Sequence, residues 1–142
     1  MLSEPTRAWL HAQHHAVLIT LRSSGSAQSS NVVFGYDGAL ARVSVTAGRA
    51  KTRNLARDPR AVLHVLGEDF SSYASVSVEA TLGAVAREPG DAACRVLLAL
   101  YEQVAGTPHH DPVDFDRAMV AEQRLVLSLV PHAVVGWGYP GA

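Results

Sequence analysis

The chain contains one cysteine, Cys94, so an intramolecular disulfide is excluded. Charge of either sign is not in excess: 12 Lys and Arg stand against 13 Asp and Glu, for a formal charge of −1 at pH 7. No global basic field is therefore available to hold nucleic acid or an anionic membrane, and neither is expected as a partner. No apolar run reaches the roughly 20 residues needed to cross a bilayer, because Leu125 to Trp137 is shorter and is interrupted by Ser128, Pro131 and His132. The N-terminus shows no charged-then-apolar leader, so a soluble, cytoplasmic protein is expected. Glycine-rich turns of the Rossmann or P-loop kind are missing, which sets aside nucleotide binding by those routes. Seven histidines include the pairs His14-His15 and His109-His110, the second followed by Asp111. Adjacent strand residues point to opposite faces and a loop lacks the i,i+4 geometry of helical metal ligands, so no metal is expected.

What is present is core. With 48% hydrophobic and 18% charged residues in a chain of 142, one globular domain over residues 1–142 is expected. Ser3, Pro5, Trp9 and Leu10 read as a short capped helix lying over a sheet as a lid. The apolar run His15 to Leu21 reads as a strand, closed by the turn Arg22 to Ser26. Gln28 to Tyr36 follows, then the two-residue hairpin signal Asp37-Gly38 and a return strand Leu40 to Thr46. Arg60 to Leu66 is another β-rich segment, and Tyr73 to Val85 shows the clearest alternation. After Pro89-Gly90, the residues Ala93, Val96, Leu97, Leu100, Tyr101 and Val104 recur at helical spacing, and Gly106 closes that helix. Thr107 to Asp114 reads as a loop, Phe115 to Ala121 as a short helix, and Leu125 to Trp137 as a final strand broken near Pro131. The expected class is mainly β: a six-stranded, mostly antiparallel barrel in meander order with helical additions.

The most informative segment is Arg49-Ala50-Lys51-Thr52-Arg53-Asn54, between the strand ending at Gly48 and the stop Asp58-Pro59. A strand passing into a short basic helix sets cationic side chains beside free backbone N–H groups, and both suit a phosphate. Elsewhere the residue types favour packing over chemistry. Cys94 falls on the opening turns of an amphipathic helix and reads as a buried, inert thiol. His64 and His132 read as polar positions on half-buried strands, and Trp9 and Trp137 as packing or subunit-interface residues. Tyr73 opens a strand and reads first as core, with a cofactor-stacking role as the alternative.

The segments Ser29-Ser30-Asn31-Val32, Val43 to Leu55 and Asp58-Pro59-Arg60-Ala61, with Leu98 to Tyr101 and Arg117 to Val120, resemble the split β-barrel flavin and deazaflavin oxidoreductases. This superfamily includes pyridoxamine 5'-phosphate oxidase, and the branch most similar is the actinobacterial group that uses coenzyme F420. The resemblance implies a homodimer with two equivalent cofactor sites at the subunit interface. It further implies that Arg49 and Lys51, with Thr52 and Asn54 in the same block, hold the cofactor's phosphate end, and that Ser44 contacts the ring system. Gln28, Ser30 and Asn31 become ring-edge contacts on the adjacent strand, and Arg124 a further anion contact. Some relatives carry a bulky aromatic before the tyrosine where this chain has Ser71-Ser72 ahead of Tyr73. The implied activity is hydride transfer from reduced F420 to a conjugated small-molecule acceptor, with no obligatory catalytic side chain and water as a sufficient proton source. The alternatives are a non-catalytic F420 binding or storage protein and an FMN-binding oxidoreductase. The longer anionic tail of F420 calls for extra cations, for which Arg53, Arg57 and Arg60 are the candidates.

Overall fold

The computed structural model describes residues 2–142. Helix α1 (Glu4–His11) precedes strands β1 (His15–Leu21), β2 (Ala27–Tyr36) and β3 (Ala41–Thr46). Helix α2 (Ala50–Arg57) leads to β4 (Arg60–Leu66) and β5 (Tyr73–Leu82), and helices α3 (Ala92–Ala105) and α4 (Pro112–Ala121) to β6 (Arg124–Trp137). The six strands close into a barrel in the order β1-β2-β3-β6-β5-β4. Every pairing is antiparallel, including β1 with β4, which completes the ring. The ring closes where the strands overlap; beyond it Ala27–Val33 of β2 pair only with β1, and Val130–Trp137 of β6 only with β5.

Period-two patterning explains the barrel interior. Leu18, Leu63, Val65, Ala74, Val76, Leu127 and Leu129 all project inward and are almost wholly buried. Each fully buried leucine or valine among them contributes about 1.5–3 kcal/mol. Along β6 the alternation fails, since Leu125, Val126 and Leu127 are all buried. The cause is a second core: Val126 faces outward and is covered by Cys94, Leu97, Leu100 and Phe115 of the two late helices. Burial pushes the Cys94 thiol above its ordinary pKa, as suits an inert packing residue.

Helix ends follow local chemistry. Ser3 accepts the Thr6 N–H at 3.2 Å to start α1, which buries Leu10 in the barrel core and stacks Trp9 on Tyr139 with centroids 4.3 Å apart. Asp91 accepts the Cys94 N–H at 2.9 Å to start α3, and Gly106, at φ +74°, ends it. Helix α3 lies close against β2: Gln103 Nε2 donates to the Tyr36 carbonyl at 3.1 Å, and a Cβ on Gly35 would come within 3.0 Å of the Gln103 side chain. No helix is long and apolar enough to cross a membrane among the described residues.

Four boundaries depart from the sequence reading. The Asp37-Gly38 hairpin is a four-residue connection rather than a two-residue turn, because Asp37 Oδ1 accepts the N–H groups of both Ala39 (2.9 Å) and Leu40 (2.8 Å). Burial acts upward on that carboxyl, but the Leu40 N–H, Arg42 and the Ala39 N–H together bring its pKa down to about 2. Strand β5 ends at Leu82 rather than Val85, yet Gly83 and Ala86 still donate to the carbonyls of Val126 and Arg124. Helix α4 starts at Pro112, ahead of Phe115, because Asp111 caps it by accepting the Asp114 N–H at 3.1 Å. Finally, β6 runs through Pro131 unbroken. Ser77 faces Ala133 while Val78 faces Pro131, so His132 is the extra residue of a bulge that accommodates the proline.

Leu127→Ala is expected to cost about 2–5 kcal/mol in denaturant unfolding, since its site cannot refill from solvent. Val113→Ala, at a residue 60% exposed, is expected to stay within about 0.5 kcal/mol of wild type.

Candidate functional site

Strand β3 delivers the chain to α2 through a tight turn in which the Arg49 N–H donates to the Thr46 carbonyl at 3.2 Å. Arg49 is the helix N-cap, its backbone extended (φ −74°, ψ 154°), and it supplies no side-chain acceptor; the first turn carries no acidic residue. The leading N–H groups of α2 thus face a helix start to which the sequence brings only positive charge. Thr52 Oγ1 donates to the Thr46 carbonyl at 2.8 Å and locks this first turn onto the strand.

Lys51, two positions after Arg49, is half-buried. Its pKa is lowered, first by burial and then by the neighbouring positive charges of Arg49 and Arg124. Arg124 reaches this point from the other side. Gln123, the one non-glycine residue at positive φ (+53°) among those described, turns the chain from α4 into β6 and sets Arg124 opposite Thr46 in the ladder. The Arg124 guanidinium donates to Glu122 Oε1 at 3.0 and 3.2 Å and, more weakly, to Ser44 Oγ at 3.4 Å. Glu122 is the carboxylate paired with this group of three cations, so net positive charge remains.

Beside the cations lies a cavity of about 470 Å³. Asn31, Val32, Ser44, Lys51 and Arg124 form its barrel side; Leu97, Leu100, Tyr101, Val104, Phe115 and Met119 form its helical side. The size and the mixture of an apolar wall with a few convergent polar groups are those of a small-molecule site.

Of the residues singled out from sequence, Asn31, Ser44, Lys51 and Arg124 meet at this cavity, with Arg49 exposed two positions before Lys51. The others lie elsewhere. Asn54, buried, donates to Thr20 Oγ1 at 3.1 Å and to Gln28 Oε1 at 3.4 Å, and Gln28 Nε2 donates to Ser30 Oγ at 2.9 Å. Gln28, Ser30, Thr52 and Asn54 thus join β1, β2, β3 and α2 into a rigid bracket under the basic turn, and none of them lines the cavity. Arg57 donates to the Leu21 carbonyl and to Asn54 Oδ1, and Arg60 pairs with Asp58 through two bonds. Only Arg53 of the three extra cations is left without such a partner among the described residues. Sequence reading missed the helical side of the cavity. The apolar face of α3 was legible as core, and nothing in its spacing marks which of those residues border a void.

The pyridoxamine 5'-phosphate oxidase family model matches residues 2–138. The chain belongs to that family. Among solved structures, an F420 reductase is similar over 94% of this chain and 98% of its own, at 21% identity and a TM-score of 0.68. A conserved hypothetical protein from Mycobacterium tuberculosis is similar over 99% of this chain and 88% of its own, at 22% identity and a TM-score of 0.71. A heme storage protein from Vibrio cholerae shares 14% identity over 98% of this chain and 97% of its own, with a TM-score of 0.70. At these identities the likeness is one of fold, the pyridoxamine 5'-phosphate oxidase-like split barrel, shared by a reductase and a heme storage protein alike.

The crowding of positive charge gives this family member a pH signature. A bound anion favours charged Lys51 and raises its pKa from the depressed free value toward or beyond 10.5. Between the two values binding takes up a proton, so affinity for inorganic sulfate, whose own charge is constant there, is expected to fall as pH rises through that window. Calorimetry in buffers of different ionisation enthalpy measures the uptake; Lys51→Arg, always charged, should abolish it. Because charged Lys51 is disfavoured in the ligand-free fold, Lys51→Met should raise the thermal midpoint of the free protein while weakening sulfate binding.

Proposed function

We propose that this chain is a homodimeric oxidoreductase that binds coenzyme F420 and passes hydride from its reduced form to a conjugated small-molecule acceptor. The observation that carries this reading is the surplus of positive charge at the start of α2, set directly against a mostly apolar cavity. Such a site fits a ligand with a phosphorylated tail and a flat ring. Arg49, Lys51 and the leading N–H groups of α2 hold the phosphate; Arg124 lends its charge from β6, and Arg53 is placed to meet a longer anionic tail. Ser44 and Asn31 contact the ring edge. The apolar wall from α3 keeps water from the ring face. When bound, the reduced deazaflavin supplies the hydride, and no side chain has to enter the chemistry covalently. Gln28, Ser30, Thr52 and Asn54 act by fixing the turn that carries Arg49 and Lys51.

Two other readings use the same anchor. A storage protein would bind F420 without turnover, and an FMN enzyme would bind the shorter cofactor in preference. The cavity lining includes no histidine, so heme ligation from this wall is not supported. Fluorescence titration separates the readings. F420 is expected to bind more tightly than FMN, and Arg49→Ala/Lys51→Ala is expected to weaken F420 by roughly 10- to 100-fold at moderate salt. Preference for FMN would move the assignment to a flavin enzyme. Tight F420 binding without accelerated oxidation by any conjugated acceptor would move it to storage.

The second subunit is part of the proposal, as is a cytoplasmic location. On β6 Val135 and Trp137 are 70% and 67% exposed, and Trp137 lines a surface hollow with Leu66 and the fully exposed Phe70. Apolar area of this extent fits a partner better than water. Sedimentation equilibrium is expected to give a dimer for the wild type and a monomer for Trp137→Glu.

A further inference from the structure

We infer that the side of the cavity walled by α3 and α4 is a separate subsite for a flat, uncharged ring bearing an oxygen acceptor, with the Tyr101 hydroxyl as its polar contact. This deepens the reading of the barrel side as the cofactor's end and names what lies against it.

The two sides of the cavity differ in chemistry. Lys51 and Arg124 belong to the barrel side, whereas Leu97, Leu100, Val104, Phe115 and Met119 present only hydrocarbon, an aromatic face and a thioether. An ionic group would find no partner against the helices, so the portion of a ligand lodged there is neutral. Tyr101 is the exception in polarity. It follows Leu97 by one helical turn on the same face, yet it is 42% exposed where Leu97 is 2% exposed, so it lines the cavity and also reaches solvent.

The Tyr101 ring is held while its hydroxyl is spare. Its centroid lies 5.6 Å from Phe115 and 4.9 Å from His109. His109 is itself fixed: its N–H donates to Glu102 Oε2 at 3.1 Å, its Nδ1 accepts the Asp111 N–H at 2.9 Å, and its ring stacks on His110. The linker between the two helices thus acts as a buttress behind the phenol. The hydroxyl has no hydrogen-bond partner among the described residues, so it is available to donate to a carbonyl. Phe115 and Tyr101 meet at 57°, which offers a flat ring both a face and an edge, and Met119 adapts to its outline. These features select a conjugated carbonyl compound over a charged or purely aliphatic one, and they make Tyr101 a specificity-determining residue.

The test uses the cofactor-free protein with 2-methyl-1,4-naphthoquinone as probe and 2-methylnaphthalene as the analogue without oxygens, both followed by saturation-transfer NMR. The quinone is expected to bind the wild type. Val104→Trp, which fills the void from α3, is expected to abolish binding of both compounds while leaving sulfate affinity within twofold. Tyr101→Phe keeps the ring and should weaken the quinone by roughly two- to tenfold without changing the hydrocarbon. The infrared carbonyl band of the bound quinone, shifted down by hydrogen bonding in the wild type, should return toward its free position in that variant. No binding to the wild type, equal binding to Val104→Trp, or an unmoved carbonyl band in Tyr101→Phe would each overturn the subsite. An F420 titration of the same proteins keeps the two proposals apart. Failure of F420 with retained, Val104→Trp-sensitive quinone binding would remove the cofactor assignment and leave the subsite in place.

Discussion

Uncompensated positive charge at the passage from β3 to α2 is the constraint around which the molecule is organised. Arg49, Lys51 and Arg124 converge there on a helix start that no side chain caps, with Glu122 offsetting part of the charge. In the free protein charged Lys51 is disfavoured here, first by its burial and then by the positive charges of Arg49 and Arg124. Such frustration persists in a folded chain only where the surroundings over-determine it, and here they do. Thr52 binds the strand end, Asn54 and Gln28 lock α2 onto two barrel strands, and Gln123 holds a left-handed backbone conformation to aim Arg124. A dianionic phosphate would relieve the repulsion and satisfy the free N–H groups together.

The barrel contributes rigidity more than chemistry. A closed ring of six antiparallel strands with a dry aliphatic interior lets neither β3 nor β6 drift, so the two ends that carry the cations stay in register through direct pairing of Thr46 with Arg124. The second core, outside β6, performs the matching task for the helices. Val126 is the hinge between the two cores, buried on the outer face of a strand whose neighbours Leu125 and Leu127 are buried on the inner one. Position in the site is therefore inherited from packing on both sides of one strand.

Much of this was legible in the sequence, and the reasons differ by element. Strand β5 announces itself because one face is wet and the other dry and period-two patterning survives that condition, whereas β1 shows as a continuous apolar run and β4 through its β-rich composition. The basic turn was legible because its polar identities cluster in one block. Boundaries failed where a side chain replaced backbone logic: Asp37 made a longer turn than Asp37-Gly38 specifies, and Asp111 began α4 before its apolar face appears. Pro131 did not break β6 because a bulge at His132 absorbed it, a register event no local window contains. Within the site, Asn31, Ser44 and Lys51 line the cavity, whereas Thr52, Asn54, Gln28 and Ser30 are bonded to one another and to the strands beneath the basic turn. Sequence distinguishes polar from apolar; it does not say which polar group will be consumed by a neighbour.

Residues 83–123 leave the barrel after β5 and return at β6, although those two strands pair directly with each other. Ring closure is thus indifferent to what the excursion contains. Helices of another length or composition could be grafted between Ala86 and Glu122 without disturbing the β5–β6 ladder, its extension through Gly83 and Ala86, or the turn that aims Arg124. The anion anchor and the helical wall are in this sense separately evolvable, one tied to the scaffold and the other carried on an interchangeable appendage, so divergence of ligand preference within such a scaffold needs no change in its load of strands.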